Sequence, residues 1–133
     1  MSPSRQIVRD DSNTFWEKAK EFRALMEVAQ EQNQWNSLGL AAVHCAISAN
    51  DALLAFFAGR RASGSDHREA ILLLIKHVKS PETKVNSEHL KRVIVKKNLI
   101  AYEAKLISNR DAQELYQHTT RFYTWAQRVL KLD

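Results

Sequence analysis

Apolar residues recur at helical spacing from the first part of the chain onward. The first stripe follows spacings of four, three, four and three residues and consists of Phe15, Ala19, Phe22, Met26 and Ala29. Thr14 and Glu17 precede it with the spacing of a capping box, in which both side chains bind backbone N–H groups at a helix start. We therefore expect a helix from Thr14 to about Asn33, preceded by a polar, flexible arm of residues 1–12.

The most apolar stretch of the chain follows, from about Trp35 to Ala58. One face carries the large residues Leu40, Val43, Ile47, Leu54 and Phe57, and alanines widen the apolar arc. A helix with apolar residues around most of its circumference is the central helix of a bundle, or buries a second face against another subunit. Gly59 suits the position of a C-terminal cap.

This stretch is also long enough to span a bilayer. Four polar residues interrupt it, namely His44, Ser48, Asn50 and Asp51. Since placing all four in lipid would be costly, we expect a helix buried in protein and no membrane association.

Three further helical segments complete the pattern. A basic loop, GRRASGS, leads to Asp66, which with Glu69 opens a third helix that stops before Ser80 and Pro81. A fourth helix starts near Ser87 and extends through the segment KNLIAY, either continuously or with a break after Lys96 and Lys97. Ser108 and Asp111 then resemble a capping box for an amphipathic last helix.

The whole pattern predicts an all-α antiparallel bundle of four to five helices, forming a single domain over residues 13–133. Composition agrees, because helix-forming residues dominate and the chain has only 3 Gly and 2 Pro. The single cysteine excludes an internal disulfide. With no apolar signal-peptide core at the N-terminus, we expect a cytoplasmic location.

Charge and motifs narrow the candidate chemistry. The 20 Lys and Arg against 15 Asp and Glu give a net charge of +5, which permits weak attraction to nucleic acid or an acidic partner. The five histidines form no metal-binding spacing, so we expect no metal site. Neither a P-loop nor a dinucleotide-binding glycine motif is present, and we expect no cofactor.

His44, Ser48 and Asp51 lie on one helical stripe at i, i+4 and i+7. They are the residue types of a nucleophilic triad, but one helix face does not supply the geometry that a triad needs. They are better interpreted as a polar seam inside the bundle, with either a structural or a functional role. A buried Asp51 needs a cation, for which Lys97 and Arg92 are the candidates.

The basic loop offers a second candidate site. His67 stands at the expected start of the third helix, close to Arg60, Arg61 and Arg68. Backbone N–H groups at a helix start can bind an anion, and the nearby guanidinium groups would strengthen such binding. The alternative is an ordinary surface loop.

The segments AAVHCAISANDALLAFFAGRRASGSDH and RVIVKKNLIAYEAKLIS carry a resemblance to a known family. A helix of the type A-x-x-A-x-x-A-x-D-A-x-L, followed by a basic loop that ends in Asp-His, resembles the HEPN domain family over roughly residues 13–131. The resemblance implies a helical bundle that dimerises. Many HEPN proteins are metal-independent ribonucleases, and members often act beside a small nucleotidyltransferase as a toxin–antitoxin pair.

In those ribonucleases the motif is an Arg, usually followed by a polar residue that is often Asn, and then a His after four to six intervening residues, and it comes together across a dimer. In this chain Lys97 takes the Arg position, Asn98 matches, and Tyr102 takes the His position. Lysine lacks the bidentate geometry of arginine, and tyrosine, with an ordinary pKa of about 10, is a poor base at neutral pH. The motif is therefore weakened.

These observations predict a dimeric HEPN-like domain that binds nucleotide, RNA or a nucleotidyltransferase partner, and we expect it not to be an enzyme. The expected binding residues are Ser48, Asp51, Arg60, Arg61, His67, Lys97 and Tyr102. One alternative is an active ribonuclease that uses Lys97, Asn98 and Tyr102, with His44 or His67 supplying an imidazole. Another is a structural or regulatory bundle without a ligand.

Overall fold

The computed structural model describes residues 3–62 and 67–132, with side chains from residue 10 onward. These residues form helices and no strand: α1 (Pro3–Glu31), α2 (Trp35–Ala58), α3 (His67–His77), α4 (Thr83–Ile94), the short α5 (Lys97–Tyr102) and α6 (Asn109–Leu130). The predicted all-α helical bundle is therefore confirmed.

Helix α2 is the centre of the bundle and contacts every other helix. Its fully buried side chains are mostly small, and they include Ala42, Ala46, Ala49 and Ala52. Small side chains allow neighbouring backbones to come close, and two hydroxyl groups use this proximity. The Ser12 hydroxyl of α1 donates to the Ala52 carbonyl at 2.8 Å, and the Thr119 hydroxyl of α6 donates to the Ala42 carbonyl at 3.2 Å.

The register of α1 on α2 shows an antiparallel pair. Ser12 bonds to Ala52, while the Cys45 thiol lies 3.5 Å from the carbonyl oxygen of Ala19. Later residues of α1 therefore contact earlier residues of α2. Among the described residues, α2 is the one helix long and apolar enough to cross a membrane, yet 72% of its most apolar window is buried inside the protein. It packs as the central helix, as the sequence predicted.

Two helix starts differ from the prediction. Helix α1 begins at Pro3, so the predicted start at Thr14 is wrong, and residues 3–12 of the expected arm are helical. Helix α4 begins at Thr83 rather than near Ser87. The reason for the second difference is a local network, in which the Thr83 hydroxyl donates to the Val78 carbonyl at 2.7 Å and accepts the Ser80 N–H at 3.1 Å.

The predicted fourth helix is not continuous. Helix α4 ends at Ile94, and after a turn at residues 95–96 the segment KNLIAY forms the separate helix α5. The break falls before Lys97 rather than after it. As a result, Lys96 and Lys97 are neighbours in sequence but not members of one helix.

Two predicted caps are confirmed. Gly59 ends α2 in the left-handed conformation, with φ 61° and ψ 34°, which glycine adopts without the strain of a side chain. Ser108 begins α6, and its hydroxyl accepts the Asp111 N–H at 3.1 Å. The cap expected from Asp66 lies outside the described residues.

The sequence marks Ser108 and Thr14 as N-terminal caps, but a helix begins only at Ser108. Replacing each by alanine tests this difference. Ser108→Ala removes the acceptor for an N–H group of α6, so we expect the free energy of unfolding to fall by about 1 kcal/mol. Thr14→Ala acts in the interior of α1 and is expected to leave stability unchanged or to raise it by roughly 0.5 kcal/mol. Urea unfolding followed by circular dichroism measures both, and equal losses would contradict the observed start of α1.

Candidate functional site

A cavity of about 550 Å³ lies between α2, α3, α4 and α5. Its polar lining consists of His44, Asn50, Asp51, Arg61, His67, Lys97 and Asn98. The apolar part of its lining includes Ile47, Ala70, Leu90, Ile94 and Val95. We call this space the main cavity. Four of the predicted binding residues, Asp51, Arg61, His67 and Lys97, meet there although they come from three different helices and a loop.

Helical periodicity explains the α2 wall of the main cavity. His44, Ile47 and Asp51 follow at i, i+3 and i+7 and therefore share one face of the helix. The break after α4 supplies the opposite wall. Helix α5 begins directly after the turn at residues 95–96, and its first residues Lys97 and Asn98 line the main cavity, whereas Lys96 lines a smaller cavity of about 140 Å³ beside α6.

Asp51 is the buried acid of the site, with 6% of its surface exposed. Its Oδ2 lies 3.4 Å from Nε of Arg61, and the same guanidinium group lies 4.9 Å above the Phe15 ring. The expected partners were Lys97 and Arg92, so that prediction is wrong. The loop after α2 returns over the helix and brings Arg61 closer than either candidate.

Burial raises the pKa of Asp51 to about 6, although the positive charges of Arg61 and Lys18 act in the opposite direction. The carboxyl group is therefore ionised at neutral pH, but at a cost to the fold. His44 and His67 line the same cavity as this carboxyl group.

Lys97 supplies positive charge to the main cavity. Within the part of the chain that the structure describes, no carboxylate lies at ion-pair distance from its ammonium group. Its charge reaches His44, whose pKa is lowered first by burial and then by Lys97. Since Arg61 already neutralises Asp51, the cavity keeps an excess positive charge at Lys97.

Asn50 lines the main cavity, although it was not among the binding residues predicted from the sequence. Its surface is 3% exposed, and its Oδ1 has no hydrogen-bond partner among the described residues. Buried polar atoms are nearly always paired, so an unpaired acceptor beside a cavity indicates a missing donor. The signal available in the sequence was its position next to Asp51 on the most apolar helix.

Three predicted residues do not line the main cavity. Ser48 is buried elsewhere along α2, and Arg60 is exposed, its backbone N–H donating to the Leu54 carbonyl at 3.3 Å. Tyr102 is 77% exposed at the end of α5. It therefore does not share the cavity with Lys97 and Asn98 within one chain.

The seam of His44, Ser48 and Asp51 is not a triad. The His44 ring stacks on Phe22 with centroids 5.3 Å apart, while Asp51 pairs with Arg61. No hydrogen bond between described residues joins the three side chains to one another.

A second group of titratable side chains lies between α4 and α6. Nδ1 of His89 and Nδ1 of His118 are 2.9 Å apart, and the ring centroids are 5.2 Å apart. The distance between the ring centroids equals the distance between the two nitrogens plus the two distances from centroid to nitrogen, so the rings meet head-on through their Nδ1 atoms, at hydrogen-bond distance. A metal ion bound by both nitrogens would require the rings to converge at an angle. The described residues contain no group of three or more metal-ligating side chains.

Comparison with known proteins yields no match, because no protein-family model, curated protein or solved structure corresponds to the chain. The resemblance to HEPN proteins stays a prediction.

Replacing Asp51 tests the cost of its buried charge. The pKa rises from 3.8 in the unfolded chain to about 6 in the fold, which corresponds to about 3 kcal/mol of destabilisation when the carboxyl is ionised. Below pH 3.8 both states are protonated and the penalty is absent; it grows as pH rises and is complete above about 6. We expect Asp51→Asn to raise the free energy of unfolding by up to about 3 kcal/mol at pH 7.5 and by little at pH 3.5.

Asp111→Asn is the matched control for this measurement. Asp111 is exposed in the first turn of α6, where its negative charge favours the helix, so its removal is expected to destabilise slightly at neutral pH. Urea titrations of both variants at the two pH values give the comparison. A loss of stability in Asp51→Asn at pH 7.5 would show that the Arg61 pair outweighs the cost of burial.

Proposed function

We propose that this protein is a HEPN-like domain that binds a nucleotide or the backbone of RNA in the main cavity, without catalysis. The main support for this proposal is the Lys97 ammonium group, which lines a cavity of about 550 Å³ and has no carboxylate partner among the described residues. A phosphate group is the anion that such a site suits, because charge-assisted hydrogen bonds to phosphate oxygens are strong.

The size and lining of the cavity support this proposal. Small-molecule sites typically enclose roughly 300–1,000 Å³ and combine apolar walls with a few polar groups that orient the ligand. Here Leu90 and Ile94 supply apolar wall, while Asn98 lies beside Lys97 and can donate a second hydrogen bond to phosphate. The net charge of +5 favours an anionic ligand at longer range.

The position of Tyr102 supports binding without catalysis. The residues that replace the HEPN motif are Lys97, Asn98 and Tyr102, and the first two line the main cavity whereas Tyr102 is 77% exposed outside it. Within one chain, the tyrosine hydroxyl is not available to a phosphate at Lys97.

A homodimer is part of the proposal. Tyr102 and Leu106, which is 82% exposed, present large apolar surface on α5 and the segment that follows. A second copy packed there would cover this surface, and in HEPN proteins the motif residues meet across a dimer. The nucleotidyltransferase partner and a role in a toxin–antitoxin pair rest on the resemblance alone.

One observation favours ribonuclease activity as a second candidate function. His44 and His67 line the same cavity as Lys97, so imidazole groups are available where the motif lacks its own. Such a ribonuclease would use a lysine to hold the phosphate and a histidine to move the proton of the ribose hydroxyl.

Adjacent lysines allow a controlled test of binding. We expect Lys97→Ala to weaken binding of ribonucleoside 5′-monophosphates about tenfold, because it removes one charge-assisted hydrogen bond. Lys96→Ala removes the same charge one residue away, outside the main cavity, and should change affinity by no more than about twofold. Isothermal titration calorimetry on the folded full chain measures both. Equal effects would indicate a general charge effect, and an absence of binding by the wild type would favour a bundle without a ligand.

An RNA cleavage assay separates binding from catalysis. We expect no cleavage of single-stranded RNA in the presence of a metal chelator by the wild-type protein, and the same result for Lys97→Ala and Tyr102→Phe. Cleavage that is lost in His67→Gln would contradict the proposal and establish the ribonuclease. The oligomeric state, measured by light scattering in the same buffer, tests the proposed dimer.

A further inference from the structure

The inner end of the main cavity differs in chemistry from its Lys97 wall. Asn50 and Asp51 are consecutive residues of α2 and are almost completely buried, with 3% and 6% of their surfaces exposed. Arg61, which pairs with Asp51, is by contrast 61% exposed at the side chain. The two α2 residues therefore form the deep end of the cavity.

This deep end offers hydrogen-bond acceptors. An ionised carboxylate only accepts, and it has about four lone-pair positions, of which Arg61 uses one on Oδ2. Oδ1 of Asn50 adds another acceptor and has no partner in the described part of the chain. An unsatisfied buried acceptor is costly, so the ligand that fits here brings N–H or O–H donors.

A ligand that is anionic throughout does not fit, because its charge would meet the carboxylate of Asp51. The ligand has to be anionic at one end, near Lys97, and rich in donors at the other. A nucleotide has this arrangement if its base presents N–H groups on the edge that enters the cavity.

The bases differ in this respect. Guanine presents two adjacent donors, N1–H and the N2 amino group, which match the two oxygens of a carboxylate as the fork of an arginine does. Adenine and cytosine place an acceptor nitrogen beside their amino group, and uracil flanks its single N–H with carbonyl oxygens. Each of these would place an acceptor against Asp51.

We propose that the main cavity is selective for guanine nucleotides. In this arrangement Asp51 accepts N1–H and one hydrogen of the N2 amino group, Oδ1 of Asn50 accepts the other amino hydrogen, and Lys97 holds the phosphate. The inference rests on the proposed nucleotide binding and specifies the base. It also assigns a role to Asn50, whose Oδ1 has no hydrogen-bond partner among the described residues.

Titration calorimetry with GMP, IMP and AMP on the full chain tests the proposal. IMP is GMP without the N2 amino group, so the ratio of the two affinities isolates the contacts to that group. We expect GMP to bind about tenfold to a hundredfold more tightly than IMP, and more tightly than AMP by at least that factor.

Variants of the deep end complete the test. Asn50→Leu keeps similar volume but removes the acceptor, and Asp51→Asn keeps the shape but replaces a carboxylate oxygen by an amino group; both are expected to bring the GMP to IMP ratio toward one. Ser48→Ala, on the same helix but outside the cavity lining, should leave the ratio unchanged. Circular dichroism verifies that each variant is folded.

The outcomes distinguish this inference from the function on which it rests. Equal affinities for GMP, IMP and AMP that all fall in Lys97→Ala would overturn guanine selectivity and leave nucleotide binding in place. Preference for AMP, or a ratio that Asn50→Leu and Asp51→Asn do not change, would also overturn it. No binding of any of the three nucleotides or of a short single-stranded RNA would overturn the proposed function itself.

Discussion

The burial of α2 is the constraint on which the rest of the structure depends. Alanine side chains such as Ala42, Ala46 and Ala49 bring the neighbouring helices close, and every other helix contacts α2. A polar residue on this helix therefore has little access to water and must find its partners inside the protein. Asn50 and Asp51 are in this position, which is why the same helix that organises the core also provides the deep end of the cavity.

The charges of the cavity follow from that burial. Asp51 is costly to ionise, and Arg61 reduces the cost without removing it, because its guanidinium group is shared with the Phe15 ring and largely exposed. Lys97 has no carboxylate at ion-pair distance among the described residues, so its positive charge remains in the cavity. Burial raises the pKa of Asp51 and thus disfavours its charge, so the carboxylate is a feature that stability alone does not favour.

The sequence predicted what is encoded locally and missed what depends on distant contacts. The Gly59 and Ser108 caps follow from residues within one turn of each other, and the bounds of α2 follow from one continuous apolar stretch; all three are confirmed. The start of α1 was predicted wrongly, and the break in the fourth helix was left open and placed after the lysines rather than before Lys97, because a periodic pattern does not show where packing on other helices extends or interrupts a helix. The cavity residues were largely anticipated. The partner of Asp51 was not, since spacing cannot show which loop folds back over a helix.

The turn at residues 95–96 assigns two neighbouring lysines to different spaces, Lys96 to the small cavity beside α6 and Lys97 to the main cavity. Both positions carry lysine, so the two residues differ only in how many residues separate them from the end of α4. The length of this turn therefore matters more to the cavity wall than the residues that form it. A single inserted or deleted residue there would move Lys97 out of the cavity wall while leaving the composition and charge of the protein almost unchanged.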